Sequence, residues 1–194
     1  MLEQILQFDK NFFLAINNGL SSPFLDLLCP ILRKQEVWYP FYATFIYFLI
    51  KEYKKDSWKI LLGIGLMILA SDQFSANLVK NTFQRIRPCN EPSLSGMVHH
   101  LISSCNGYSF ISAHATNHFA LAIFISLCFK TKKWLWVTTI IWATSIAFSQ
   151  VYVGVHYPID VIVGALVGIL FGLAFGKYTL KFVAIYTERG FDGK

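Results

Sequence analysis

Charge is what this 194-residue chain has least of: Asp, Glu, Lys and Arg make up 14% of it, against roughly 25% in a soluble domain. An ordinary water-soluble enzyme is thereby excluded, and 55% hydrophobic residues put the chain in the membrane class. Four cysteines are too few for a disulfide-built scaffold, and 16% aromatic residues exclude intrinsic disorder. The net charge of +6 comes with no basic run or arm, so no nucleic-acid partner is expected. A signal-peptide core is also missing, because the apolar stretch 12–15 is too short, and the mature chain is expected to begin at Met1.

What the chain has is long apolar runs. Residues 37–50, 58–79, 110–129, 134–151 and 159–178 each approach the roughly 20 residues that cross about 30 Å of hydrocarbon. Trp38, Tyr39, Tyr53, Trp58 and Trp134 at their ends suit the interfacial aromatic belts. Ahead of them, Leu2, Ile5, Leu6, Phe13, Ile16 and Leu20 fall at helical spacing with Gln4, Gln7, Lys10 and Asn17 between, which reads as an amphipathic interfacial helix. Residues 22–32, interrupted by Pro30, read as a second interfacial or re-entrant piece, with a sixth crossing as the alternative. The expected fold class is therefore an all-α polytopic membrane protein of five transmembrane helices, six possible. Its regions are N-terminal interfacial helices 1–35, a transmembrane domain 36–180 and a cytoplasmic tail 181–194. Gly164, Gly168, Gly172 and Gly176 leave one face of the last run bare for close helix packing.

Eleven of the lysines and arginines, at 51–59, 130–133 and 177–194, fall on one side of this topology and six on the other. The positive-inside rule makes the first side cytoplasmic and turns residues 84–109 and the turn around His156 outward. On that outward face lie three polar clusters: KNTFQRIRP at 80–88, SAHATNH at 112–118 and SQVYVGVHYPID at 149–160. Polar clusters at one membrane depth in so apolar a chain mark a functional site.

Those residue types suit phosphoryl transfer. Lys80, Arg85 and Arg87 can hold phosphate oxygens, and the N–H groups of Ser112, Ala113 and His114 at a helix start add the positive end of a dipole. His156 and Asp160, four residues apart around Pro158, can pair so that the carboxylate fixes the ring's tautomer while the ring attacks phosphorus. His114 is then the proton donor to the leaving oxygen. No thiolate or carboxylate cluster completes a metal sphere, so no metal and no cofactor is expected.

The three clusters resemble the signature of the type 2 phosphatidic acid phosphatase superfamily: Lys, six residues, Arg-Pro; then Pro-Ser-Gly-His; then Ser-Arg, five residues, His, three residues, Asp. Lys80, Arg87 and Pro88 fill the first with the right spacing, Ser112 and His114 half of the second, and Ser149, His156 and Asp160 the third. The resemblance implies a metal-independent membrane phosphatase in which His156 is the nucleophile forming a phosphohistidine, Asp160 orients it and His114 is the acid. It also implies that Lys80, Arg87, Ser112 and Ser149 hold the phosphate. By the same resemblance the enzyme sits in a bacterial inner membrane with its site facing the periplasm. Its partners are then the bilayer and a lipid phosphate such as undecaprenyl pyrophosphate, phosphatidylglycerophosphate or lipid A.

Ile111 and Ala113 replace the signature's proline and glycine, and Gln150 stands in place of its arginine. A neutral amide for a guanidinium keeps open a non-catalytic lipid-phosphate binding or transport protein as the alternative. Arg85 is the expected substitute cation, with Gln150 donating one neutral hydrogen bond. Cys89 and Cys105 share the outward loop, where an oxidising periplasm favours a disulfide. Cys29 and Cys128 read as small buried hydrophobes.

Overall fold

A computed structural model describes residues 1–189 of the chain, and every regular element among them is helical. Two short helices come first: α1 (Leu2–Asn17) and α2 (Pro23–Leu32), the latter opened by Ser22, whose side chain accepts from the Leu25 N–H. At ten residues α2 rises about 15 Å, half the hydrocarbon thickness. Then follow α3 (Tyr39–Tyr53) and α4 (Ser57–Asp72). Lys54, at φ 48°, turns the chain between them. The chain runs on from α4 through a π-helical segment, Gln73–Val79, into α5 (Lys80–Phe83).

Beyond the loop 84–112 lie α6 (Ala113–Cys128), α7 (Lys133–Tyr152) and α8 (Pro158–Arg189). Stretches long and apolar enough to cross a membrane are Gln35–Leu94, Lys133–Tyr152 and Pro158–Ile185, while α6 is a shorter apolar helix. The five apolar runs of the sequence thus become α3, α4 with its π-helical extension, α6, α7 and α8. Helix α8 continues to Arg189, so the first nine residues of the expected tail are helical. The rest of it, 190–194, lies outside the described residues.

Helix α6 is the centre of the bundle and packs against α4, α7 and α8. Its closest neighbour is α8, because the glycine stripe lets the two backbones meet. A Cβ at Gly164 would sit 2.8 Å from the Ser112 carbonyl oxygen, nearer than real Cβ atoms come. On the opposite face of α8, Ile162, Leu166 and Leu170 are exposed, as a lipid-facing surface requires. The apolar core gathers Leu49, Ile60, Met67, Phe124 and Ile125.

Helix α1 departs from its expected orientation. Phe8 and Phe12 are exposed while Asp9, Phe13 and Asn17, one helical turn apart, are fully buried against the bundle. Asn17 donates to the carbonyls of Tyr152 and His99 and accepts from the His99 N–H. The helix therefore docks by a narrow stripe in which Asp9 and Asn17 flank Phe13, and hydrophobic periodicity does not register the two polar members.

Candidate active site

The turn linking α7 to α8 is shaped by Gly154 at φ 89°, a left-handed conformation that glycine adopts without a Cβ penalty. The Gln150 carbonyl accepts from the N–H groups of Val155 and His156, which sets the His156 ring against the first turn of α8. Nδ1 of His156 lies 3.6 Å from Oδ2 of Asp160, and both residues are buried. On the ring's other side, Arg87 Nη1 is 3.3 Å from Nε2. Arginine only donates, so Nε2 is the acceptor and the ring proton belongs on Nδ1, facing Asp160. Burial holds the imidazole down at about 4, so the ring is neutral at physiological pH.

Asp160 is fixed from several sides. Its Oδ2 accepts from the Ser109 hydroxyl and from the Tyr157 N–H at 2.8 Å, and its Oδ1 from Arg85 Nη1 at 2.6 Å. The other arm of Arg85 meets Asp9 of α1 at 2.7 Å, and its guanidinium lies 3.9 Å over the Tyr157 ring. The expectation that Arg85 replaces a missing phosphate contact is therefore corrected. Both of its arms are taken by carboxylates, and the residue braces Asp160 from behind.

Arg87 donates through Nε to the Asn106 carbonyl and through Nη1 to the Val155 carbonyl. Lys80, in the last helical turn before the loop 84–112, is close enough to act electrostatically on Arg87, His114 and His156. His114 stands in the first turn of α6, its ring stacked on that of His118 with centroids 6.1 Å apart. Ser112 caps this helix by accepting from the Ala115 N–H, and its own N–H donates to the Asp160 carbonyl. That N–H is thus spent in tying α6 to α8, which leaves the N–H groups of Ala113 and His114 as the free donors of the first turn.

Two signature positions are differently engaged. Ser149 is buried and its hydroxyl donates to the Ser145 carbonyl. Gln150 is fully buried with neither amide atom hydrogen-bonded, an arrangement that calls for a partner. Cys89 and Cys105 are joined in a disulfide with Cα atoms 6.4 Å apart, and His100 lies beside them. The bridge holds both sulfurs, and one imidazole does not make a metal centre. Cys29 and Cys128 are free and buried. Sequence reasoning missed Asp9 and Ser109, because nothing local ties either to a carboxylate 151 or 51 positions away.

A neutral, buried histidine between a braced carboxylate and the Arg87 guanidinium, at the end of an apolar helical bundle, is an arrangement suited to a membrane phosphatase. The comparisons agree. The chain belongs to the PAP2 superfamily, whose model matches residues 58–183. It is 32% identical over 171 residues to a lipid A 4'-phosphatase of Bacteroides thetaiotaomicron, covering 85% of this chain and 74% of that one. It is 28% identical over 164 residues to an undecaprenyl-diphosphatase of Sulfolobus acidocaldarius, covering 84% and 74%. Among solved structures it resembles Aquifex aeolicus LpxE, with a TM-score of 0.64 and 26% identity over 87% of this chain and 94% of that one. A PAP2-type phosphatidylglycerolphosphate phosphatase from Bacillus subtilis shares the fold, with a TM-score of 0.69 and 21% identity over 92% and 87%.

Proposed function

We propose that the protein is a lipid phosphate phosphatase of a bacterial cell membrane, with its site facing the periplasm and a phosphohistidine formed on His156. The observation that carries this reading is the line Asp160, His156, Arg87, in which the unprotonated Nε2 faces the Arg87 guanidinium, the group that would draw a phosphate to it. Nε2 attacks phosphorus as the bond to the leaving oxygen breaks, and His114 supplies that oxygen's proton. The positive charge arising on the ring is met by Asp160. Lys80, Arg87 and the N–H groups of Ala113 and His114 hold the phosphoryl oxygens. Water then attacks the phosphohistidine, giving its proton back to His114 and freeing inorganic phosphate.

The relatives' names, lipid A 4'-phosphatase and undecaprenyl-diphosphatase, support a lipid anchored in the bilayer as substrate. An apolar groove of about 300 Å³ between α3, α4 and α6 ends at His118, beside His114, and offers a lipid chain lateral access. Phosphate release from a panel of lipid phosphates tests the reading. Activity is expected on at least one of them, to survive excess EDTA, and to vanish in His156→Ala. An acid-labile, base-stable phosphoenzyme should accumulate during turnover of the intact protein.

The alternative, a lipid-phosphate binding or transport protein, is favoured by one observation, the neutral Gln150 in the signature's arginine position, its amide buried without a hydrogen-bond partner. Binding of the panel without phosphate release would select it.

A further inference from the structure

Next to the catalytic cluster, on the outward side, lies a second cavity that the signature residues do not explain. It measures about 250 Å³ and is lined by Arg33, Arg87, Ser103, Ser104, Asn106 and Val155. Arg33 comes from the end of α2, where its backbone N–H caps the helix. Its Nε is buried without a hydrogen-bond partner, and among the described residues no carboxylate lies within ion-pair distance of it. It acts electrostatically on Arg87 and on His114. Two guanidiniums thus share a hollow with serine and asparagine side chains, and no carboxylate is in its lining. Repulsion between the two guanidiniums is unfavourable, and an anion bound between them relieves it.

Arg87 joins the hollow to the reaction centre, because it borders the first and reaches His156 Nε2 at 3.3 Å in the second. An anion seated there shares the Arg87 guanidinium with a phosphoryl group held at His156. We propose that this hollow is a subsite for a second phosphate of the substrate, attached through the leaving oxygen, with Arg33 as its ligand. It rests on the phosphatase reading. The enzyme then favours a diphosphate over the monophosphate of the same lipid, since Arg33 contributes charge-assisted hydrogen bonds only when the second phosphate is present. The transferred phosphoryl group stays with Lys80, Arg87 and the start of α6.

A matched pair of substrates tests this: farnesyl diphosphate and farnesyl phosphate, which differ by one phosphate on the same chain. In Arg33→Gln the KM for the diphosphate is expected to rise about tenfold or more, the scale of a lost charged hydrogen bond. The kcat, and both constants for the monophosphate, should stay within about twofold. Arg33→Lys should keep part of the preference, and a thermal melt of each variant in detergent shows that it is folded. Equal losses on both substrates would move Arg33 to the transferred phosphoryl group, and no change on either would leave the hollow without a ligand. Both results overturn the proposal.

Direct binding separates it from the parent reading. Calorimetry of the full chain in detergent should show inorganic pyrophosphate binding more tightly than inorganic phosphate, with the difference abolished in Arg33→Gln. Pyrophosphate binding with no hydrolysis of any lipid refutes the enzyme reading and keeps the second anion site. Hydrolysis with no pyrophosphate preference refutes the subsite alone.

Discussion

At the residue scale the site depends on keeping His156 uncharged. Burial holds its imidazole at about 4, where a solvated ring would sit near 6.5. In the proposed mechanism the attacking ring is neutral, so the acid limb that this group imposes on kcat/KM should fall near pH 4 and activity should persist through pH 5 to 6. A pH profile of kcat/KM with a limb near 6.5 would contradict the buried geometry. Asp160→Asn should lower kcat by something on the order of 10³- to 10⁴-fold, the scale of a lost tautomer-fixing carboxylate.

Arg85 and Asp9 make a different prediction from Arg87. Removing the Arg85 side chain strands two buried carboxylates, Asp9 and Asp160, at a cost of about 3–5 kcal/mol. In Arg85→Ala, kcat should fall while KM for the lipid changes little, and the melting temperature should drop. In Arg87→Ala, KM should rise as well. Gln150→Arg should not rescue Arg85→Ala, because the lost contact is to a carboxylate and not to phosphate. Recovery in that double variant would return Arg85 to the phosphate pocket.

At the element scale, the register between α6 and α8 brings the two halves of the site together. Ser112 donates its N–H to the Asp160 carbonyl, and Gly164, one turn further along α8, lies under the Ser112 carbonyl. Gly164→Ala forces the backbones apart, and overpacking of this kind costs about 1–3 kcal/mol. It should cut activity more than stability, because it separates His114 from His156. Gly65 in α4 is the control, since a Cβ there meets nothing within 4 Å. Gly65→Ala should be neutral or stabilising by about 0.5–1 kcal/mol, the helix gain from replacing glycine. Activity and melting temperature of the two variants, measured side by side, check the pair. The four-residue glycine spacing was legible in the sequence as a packing stripe; which helix it receives, and that it sets the catalytic register, was not.

At the scale of the whole molecule, legibility follows sequence distance. The five apolar runs and the spacings Lys80 to Arg87 and His156 to Asp160 are local patterns, and the sequence displays them directly. The pairing of Asp9 with Arg85, the docking of α1 through Asn17 and the entry of Arg33 into the outward hollow join residues tens of positions apart. Each uses a single polar side chain that amphipathic periodicity assigns to the solvent. The protein's outer surface adds a last consequence of the same architecture. Its substrate lies in the same bilayer as its exposed Leu62, Leu66 and Ile162, and the groove lined by Phe45, Leu61, Ile64, Ile68 and Leu121 leads to His118. A lipid chain laid in that groove brings its headgroup to His114 without leaving hydrocarbon, so apolar contact along the groove contributes to KM at about 0.8 kcal/mol per buried methylene. Leu121→Trp narrows the groove without touching the phosphate cluster. Its KM for long-chain lipid phosphates should rise about tenfold or more, with kcat for a short-chain, water-soluble phosphate unchanged. Equal effects on both chain lengths would show that the chain enters by another route.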